Sequence, residues 1–194
     1  GQDTNYGSAT TLETTLATNH SQLLTNLNPN TLYHYRVKSK DTLGNLATSQ
    51  DNTFTTIGSA QITVTFDDLG SQDQPLTDQY PAGIINWGNL GNWWHSAPWR
   101  KFTTKSVTFN GPGISTATFS FITPMQLTNL DLFNGGTSQA TTTLSCPGMP
   151  NKQITLSADQ ILTGVATGWS GTCSQVTIAS SNGWDTNYDN LVIE

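Results

Sequence analysis

The sequence predicts an all-β protein, and three observations support this prediction. Thr, a β-branched residue that favours extended backbone, makes up about one residue in six of the chain. Several segments alternate apolar and polar residues with a period of two, which is typical of half-buried strands. Turn sequences rich in Asn, Gly and Pro separate these segments, and no segment shows an apolar stripe at the helical period of about 3.6 residues.

The predicted strands and turns alternate along the whole chain. The clearest strand patterns lie at residues 32–37, 62–66, 106–109, 117–122 and 175–178. The clearest turn signals lie at residues 28–30, 44–45, 110–113, 134–136 and 182–183. Residues 158–162 are expected to form a single helical turn at most.

A domain boundary is expected at residues 58–61, a short linker of mostly small residues. A strand pattern ends just before it at Thr56, and a new alternation begins at Ile62. The chain is therefore expected to contain a first module at residues 1–57 and a second at residues 62–194.

The first module carries alternating apolar and aromatic residues, then a turn, then a final strand pattern. The residues concerned are Leu27, Pro29, Thr31, Tyr33, Tyr35 and Val37, followed by Asp41, Gly44, Asn45 and residues 53–56. This pattern resembles the second half of a fibronectin type III domain. The resemblance implies that Tyr33 is the corner tyrosine whose hydroxyl is tied to upstream backbone. It also implies that the seven-stranded sandwich of that family is present only in part.

A sandwich that lacks strands exposes an apolar face and an unpaired edge. Three explanations are open: the chain is a fragment, strands from another subunit complete the module, or the partial module packs on the second domain. The second explanation predicts self-association through the incomplete N-terminal sandwich.

The second module is expected to be a jelly-roll β-sandwich of eight or more strands. Its two ends resemble each other, with the segment 66–69 (Phe-Asp-Asp-Leu) near the start and 188–191 (Tyr-Asp-Asn-Leu) near the end. Because a jelly roll places its first and last strands side by side, we expect acidic residues from both ends to meet.

Four carboxylates are expected in this region: Asp67, Asp68, Asp185 and Asp189. They would repel each other unless hydrogen bonds or a cation compensates them. The arrangement resembles the structural calcium site of jelly-roll carbohydrate-binding modules, which implies a calcium ion held by Asp67, Asp68 and Asp189. The alternative is that these aspartates accept backbone N–H groups at turns.

Cys146 and Cys173 lie on separate strand patterns and near turns. In a secreted chain this pair most simply forms one disulfide, and the alternative is two buried thiols. No histidine lies near enough in sequence to complete a zinc site.

Four of the six tryptophans fall within residues 87–99. Trp93 and Trp94 are adjacent, so in extended backbone their side chains face opposite sides and at most one is buried by a sheet face. Indole rings stack on the apolar faces of sugars, and Trp93, Trp94 and Trp99 are the candidate platform. Asn92 and His95 are the candidate hydrogen-bonding partners of sugar hydroxyls. The alternative is that these indoles fill a core.

Composition excludes several function classes. The net charge of −6 argues against nucleic acids and anionic membranes, and no apolar run is long enough to insert into a bilayer. Glu occurs only at positions 13 and 194, and no histidine is placed for triad chemistry, so we expect no enzyme activity.

The second module resembles secreted bacterial domains of the carbohydrate-binding-module kind, which often accompany fibronectin type III modules. The resemblance implies a non-catalytic, extracellular or cell-surface protein that targets a larger enzyme or surface protein to a polysaccharide or oligosaccharide. The alternative is a structural subunit of an extracellular filament or adhesive assembly, in which the indoles are buried at interfaces.

Overall fold

Strands make up nearly all the regular structure, so the predicted all-β class is confirmed. The structure is a computed structural model, and it describes residues 1–15, 17–25, 27–58, 60–70 and 72–194. These residues form two compact units, Gly1–Ala60 and Gln61–Glu194. Ser59, within the expected linker, lies outside the described residues. Among the described residues, no helix is long and apolar enough to cross a membrane.

The described part of the first unit contains four short strands in two antiparallel pairs. The strands are β1 (Leu32–Tyr35), β2 (Lys38–Lys40), β3 (Leu46–Thr48) and β4 (Asn52–Thr55). Strand β1 pairs with β4, and β2 pairs with β3. The ring of Tyr33 stacks on Phe54 at 5.6 Å, and its hydroxyl oxygen accepts a hydrogen bond from the backbone N–H of Asn28 at 2.9 Å. The expected tie from Tyr33 to upstream backbone is therefore present.

The first unit leaves many large apolar side chains in solvent. Those more than half exposed include Val37, Leu43, Leu46 and Ile57. Two two-stranded sheets are too few to cover such side chains, because stable burial normally needs three or more strands with an apolar face.

The second unit is a β-sandwich of twelve described strands. The strands are β5 (Ile62–Val64), β6 (Gln74–Leu76), β7 (Ile85–Asn86), β8 (Trp93–Ser96), β9 (Ser106–Phe109), β10 (Thr116–Met125), β11 (Leu127–Asn134), β12 (Ala140–Ser145), β13 (Lys152–Leu156), β14 (Gln160–Ala166), β15 (Cys173–Ser180) and β16 (Thr186–Ile193). Residues 158–159 form a turn directly before β14, so the helical turn considered for residues 158–162 does not form.

The strands of the second unit form two antiparallel sheets. One sheet has five strands in the order β13-β12-β15-β10-β7. The other has seven, in the order β14-β11-β16-β9-β8-β6, with β5 also paired to β16. Strand β5 pairs with the end of β16 through Leu191 and Val64. The first and last strands of this unit therefore lie side by side, as we expect of the predicted jelly roll.

The core of this unit lies between the two sheets. Its aromatic centre consists of Trp87, Trp93, Phe109, Phe119 and Tyr188, none more than 3% exposed. Trp93 stacks on Phe109 with ring centroids 5.5 Å apart, and Trp87 meets Trp93 edge-on at 5.2 Å. Offset and edge-on ring pairs contribute about 0.5–1.5 kcal/mol each beyond the area that they bury.

Candidate functional site

The six indoles divide into a buried group and an accessible group. Trp87, Trp93 and Trp169 are at most 4% exposed, and each indole N–H donates to a backbone carbonyl. Trp94 and Trp99 are half-buried, and Trp184 is 52% exposed. Only the second group can meet a ligand without unfolding the core.

Two of the expected sugar-binding residues face the core instead. Trp93 is completely buried and its Nε1–H donates to the Thr118 carbonyl at 3.1 Å. His95, two positions along the same strand, is 1% exposed. Side chains two apart on a strand share a face, so both point toward the inside of the sandwich. The expectation that Trp93 and His95 contact sugar is therefore corrected.

Trp94 and Ser96 lie on the opposite, outer face of strand β8. Trp94 pairs with Thr108 on β9, and β9 in turn pairs with β16 at Tyr188. Because Tyr188 points into the core, its neighbour Asn187 points to the outer face. Three adjacent strands thus bring an indole, two hydroxyls and an amide to one patch of the seven-stranded sheet.

This patch is the floor of an open cavity of about 230 Å³, which we call the indole pocket. Its lining residues are Trp94, Ser96, Trp99, Thr108, Trp184, Asp185 and Asn187. All three accessible indoles of the chain therefore converge on a single cavity. Asn92, expected from the sequence to contact sugar, does not line it; its backbone carbonyl accepts from Asn110 N–H at 2.9 Å.

Trp99 reaches the pocket from a short hairpin in which Trp99 and Phe102 exchange backbone hydrogen bonds of 2.8 and 3.0 Å. Its ring packs edge-on against Phe133 at 5.6 Å and lies directly on the backbone of Gly135. A side-chain carbon at Gly135 would overlap the Trp99 ring. The neighbouring Arg100 guanidinium donates to the Gly135 carbonyl and places its charge 5.9 Å from the indole.

Trp184 reaches the pocket from a 3₁₀ turn, Gly183–Asp185, which precedes β16. The Thr108 hydroxyl lies 2.8 Å from the carbonyl oxygens of both Trp184 and Thr186, and its one hydrogen is shared between these two acceptors. This side chain therefore fixes the backbone that carries the most exposed indole. Gly183 has φ +51°, a left-handed conformation that glycine adopts without strain.

The Asn187 side chain places a polar, uncharged amide at the floor of the pocket. The buried Asn187 amide donates from Nδ2 to Ser106 Oγ at 2.8 Å. Its Oδ1 is also buried and meets no hydrogen-bond donor among the described residues. A buried acceptor without a donor costs about 1–3 kcal/mol, so a ligand hydroxyl that reached this amide would be stabilised.

The Asn134-Gly-Gly loop, which in the sequence is first of all a turn signal, carries the backbone on which the Trp99 ring lies. Asn134 is completely buried and its Nδ2 donates to the Ser138 and Ser157 carbonyls at 2.8 and 2.9 Å. Its Oδ1 accepts from Gly136 N–H and from the Asn182 amide. The loop is thereby held in the position that Trp99 needs.

The expected calcium ligands each have hydrogen-bond partners of their own. Asp67 accepts from Lys105 N–H at 3.0 Å, and Asp68 accepts from the Tyr80 hydroxyl. Asp189 is buried and accepts from Thr104 Oγ1 at 2.8 Å. These contacts agree with the alternative expectation, in which hydrogen bonds stabilise the negative charges of the carboxylates.

Burial raises the pKa of Asp189 to about 7, and the charges of Asp67 and Asp131 add to this effect against the hydrogen bonds from Thr104 and Asn190. A bound cation would offset the free-energy cost of burying the charged Asp189 carboxylate, and the raised pKa is in this respect compatible with the calcium prediction. However, the described residues contain no group of three acidic, His or Cys side chains that could hold a metal ion. The ammonium group of Lys105 already lies on the carbonyls of Asp67 and Leu69 at 3.2 and 2.5 Å. Calcium therefore stays a prediction.

Cys146 and Cys173 form a disulfide with Cα atoms 5.8 Å apart, as expected. Cys146 follows β12 and Cys173 begins β15, and these two strands are neighbours in the five-stranded sheet. The bond therefore joins two adjacent strand ends on the sheet opposite the indole pocket.

Comparison of the chain with protein-family models, with curated protein sequences and with solved structures finds no significant match. The functional interpretation therefore depends on the geometry of the indole pocket.

Proposed function

We propose that the chain is a non-catalytic carbohydrate-binding protein and that the indole pocket of the second unit is its sugar site. The observation that supports this proposal most strongly is that Trp94, Trp99 and Trp184 line one open cavity whose floor carries polar groups. These are the three indoles that the core leaves accessible.

A pyranose fits the chemistry of this pocket. A sugar ring has apolar C–H faces, which stack on indoles, and a rim of hydroxyl groups, which need donors and acceptors. Ser96, Asp185 and Asn187 supply oxygen and nitrogen atoms beside the three rings. By the apolar area removed from water, each ring contact is worth on the order of 1–2 kcal/mol, or about tenfold in affinity.

A nucleic acid fits this pocket poorly. Nucleotide bases also stack on aromatic rings, but their phosphates need Lys and Arg. The lining residues carry no positive charge, Asp185 carries a negative one, and the whole chain has a net charge of −6. A neutral ligand meets no such repulsion.

We infer that the second unit is a jelly roll of the carbohydrate-binding-module kind and that the first is a partial fibronectin type III module. The pairing of β5 with β16 supports the first assignment, and the bond between Tyr33 and Asn28 supports the second. The disulfide is compatible with a secreted or cell-surface protein that binds polysaccharide for a larger enzyme or assembly.

The proposal is tested by affinity electrophoresis and titration calorimetry against neutral polysaccharides, namely β-1,4-glucan, β-1,3-glucan, mannan, xylan and galactan. Wild-type protein should bind at least one of them, and Trp94→Ala and Trp184→Ala should each weaken binding about tenfold or more. Leu90→Ala is the matched control, since Leu90 is 82% exposed and lies outside the pocket. Failure to bind all five, or equal binding by the variants, would overturn the proposal.

The second candidate function is a structural subunit that self-associates. The apolar side chains that the first unit exposes, among them Leu43 at 85% and Ile57 at 92%, favour it. It predicts polymers or dimers whose formation depends on protein concentration and not on sugar. A sharp monomer in light scattering at high concentration would eliminate it.

A further inference from the structure

A second cavity lies beside the indole pocket and shares one wall residue with it. This cavity has a volume of about 320 Å³ and is lined by residues 112–115 and 181–184. Trp184 lines both cavities. We call the second cavity the Pro112 cavity.

The backbone that carries Trp184 is fixed by contacts on two sides. The Thr108 hydroxyl lies within hydrogen-bonding distance of the Trp184 carbonyl oxygen, at 2.8 Å. On the other side, the backbone before Trp184 packs so closely on the strand-connecting loop that a side-chain carbon at Gly183 would lie 3.0 Å from the Ile114 carbonyl oxygen. The exposed ring therefore projects from an anchored backbone.

The Pro112 cavity, like the indole pocket, is lined by both apolar and polar groups. Pro112 and Ile114 supply apolar surface, and Ser115 and Ser181 supply hydroxyl groups. Its lining residues include no Asp, Glu, Lys or Arg. A charged ligand would find no partner there, whereas a second sugar unit finds apolar and hydroxyl groups like those of the first site.

We propose that the two cavities are adjacent subsites for one linear oligosaccharide, with Trp184 as the shared contact between consecutive units. This inference rests on the proposed function and adds the ligand class: linked pyranoses that span both cavities, in preference to a single sugar. Once one unit is bound, the next binds as part of the same molecule, at a high effective concentration. The affinity should therefore rise with chain length until both cavities are filled and then level off.

The test is titration calorimetry with oligosaccharides of one to six units from three series, β-1,4-linked glucose, β-1,3-linked glucose and β-1,4-linked mannose. In a series that binds, the affinity of wild-type protein should rise at least tenfold from the monosaccharide and then reach a plateau. Ser115→Arg, which places a bulky side chain at the Pro112 cavity, should keep monosaccharide binding and lose the gain with length. Thr116→Arg is the matched control, because Thr116 is exposed and lies outside both cavities.

The possible results distinguish failure of the two-subsite inference from failure of the proposed sugar site. A monosaccharide that binds as tightly as the hexamer, or a gain with length that survives Ser115→Arg, overturns the two-subsite inference and leaves the sugar site standing. Binding of no member of the three series and of no polysaccharide overturns both. Loss of the gain in Ser115→Arg together with its retention in Thr116→Arg supports the inference.

Discussion

The indole of Trp99 lies directly on the backbone of Gly135, and no side chain larger than hydrogen fits between them. This contact joins the Trp99–Phe102 hairpin to the loop after β11, whose backbone also bonds to the 3₁₀ turn through Gly135 N–H and the Asp185 carbonyl at 2.8 Å. Gly135 thus connects the segments that carry Trp99 and Trp184. The spacing of these two walls of the indole pocket depends on a residue that does not line it.

The first prediction concerns Gly135→Ala. The added methyl group overlaps the Trp99 ring, so this ring must move away from Gly135 and lose its position in the pocket wall. We expect a loss of polysaccharide affinity comparable to that of Trp99→Ala, measured by calorimetry. Gly70→Ala is the matched control, since nothing lies within 4 Å of its added carbon. Unchanged affinity in Gly135→Ala would show that Trp99 does not contribute to binding.

The second prediction separates two adjacent tryptophans. Trp93→Ala removes a completely buried indole and should lower the free energy of unfolding by about 3–5 kcal/mol. Trp94→Ala removes a half-buried indole on the outer face, so it should reduce sugar affinity with a much smaller change in stability. Urea unfolding and calorimetry measure the two quantities, and similar stability losses in both variants would contradict the assignment of their faces.

The third prediction concerns pH. The pKa of Asp189 is raised from 3.8 to about 7, so the folded state holds a proton that the unfolded state releases between these values. The free energy of unfolding should therefore fall as pH rises from about 4 to about 7, and the contribution of Asp189 should then level off. The measurement is urea unfolding in EDTA across this range, with Asp189→Asn as the comparison. Equal pH slopes in both proteins would contradict the prediction.

The same variant tests the calcium prediction. Asp189→Asn keeps an oxygen to accept the Asn190 N–H bond, which is 2.7 Å long in the wild type, and it removes the buried charge. If calcium binds, added calcium should raise the melting temperature of the wild type at pH 8 and leave that of Asp189→Asn unchanged. If added calcium shifts neither melting temperature, the calcium prediction is wrong.

The fourth prediction concerns the disulfide. Cys146 and Cys173 are 27 positions apart, and closing a loop of this length stabilises the folded state by about 3–4 kcal/mol in the chain-entropy model. The double variant with Ala at both positions should lose about this amount in urea unfolding. It should keep its sugar affinity at low temperature, because the bond joins strands of the sheet opposite the pocket. A loss of affinity in the folded double variant would contradict this placement.

The sequence predicts part of this arrangement through simple strand geometry. Adjacent Trp93 and Trp94 must face opposite sides of a strand, and the structure confirms that one is inside and the other outside. Which of them faces the core depends on how β8 pairs with β9 and which side of that sheet the other sheet covers. Residues 93–96 alone do not encode this pairing.

Trp184 shows why the rest of the site could not be read from the sequence. It stands next to the acidic segment at the end of the chain, far in sequence from the other aromatic residues of the pocket. Its place is set by the Thr108 hydroxyl, 76 positions away. Such contacts follow from the order of strands in the sheet, which the local pattern of one strand does not determine.

At the acidic ends of the second unit, the sequence predicts the pairing of the strands but not the partners of the side chains. The predicted jelly roll requires the first and last strands to lie side by side, and this pairing is present. The partners of the individual carboxylates, such as Lys105 and Tyr80, come from segments between the two ends and carry no recognisable spacing.

In the proposed site three indoles contact the sugar, and the other three do not. The most direct test is to follow the six indole N–H resonances by NMR while titrating the polysaccharide or oligosaccharide that the protein binds. The resonances of Trp94, Trp99 and Trp184 should shift in proportion to occupancy. Those of Trp87, Trp93 and Trp169, whose N–H groups donate to backbone carbonyls inside the fold, should stay in place. Shifts confined to the buried three, or no shift at any accessible indole at saturation, would contradict the account.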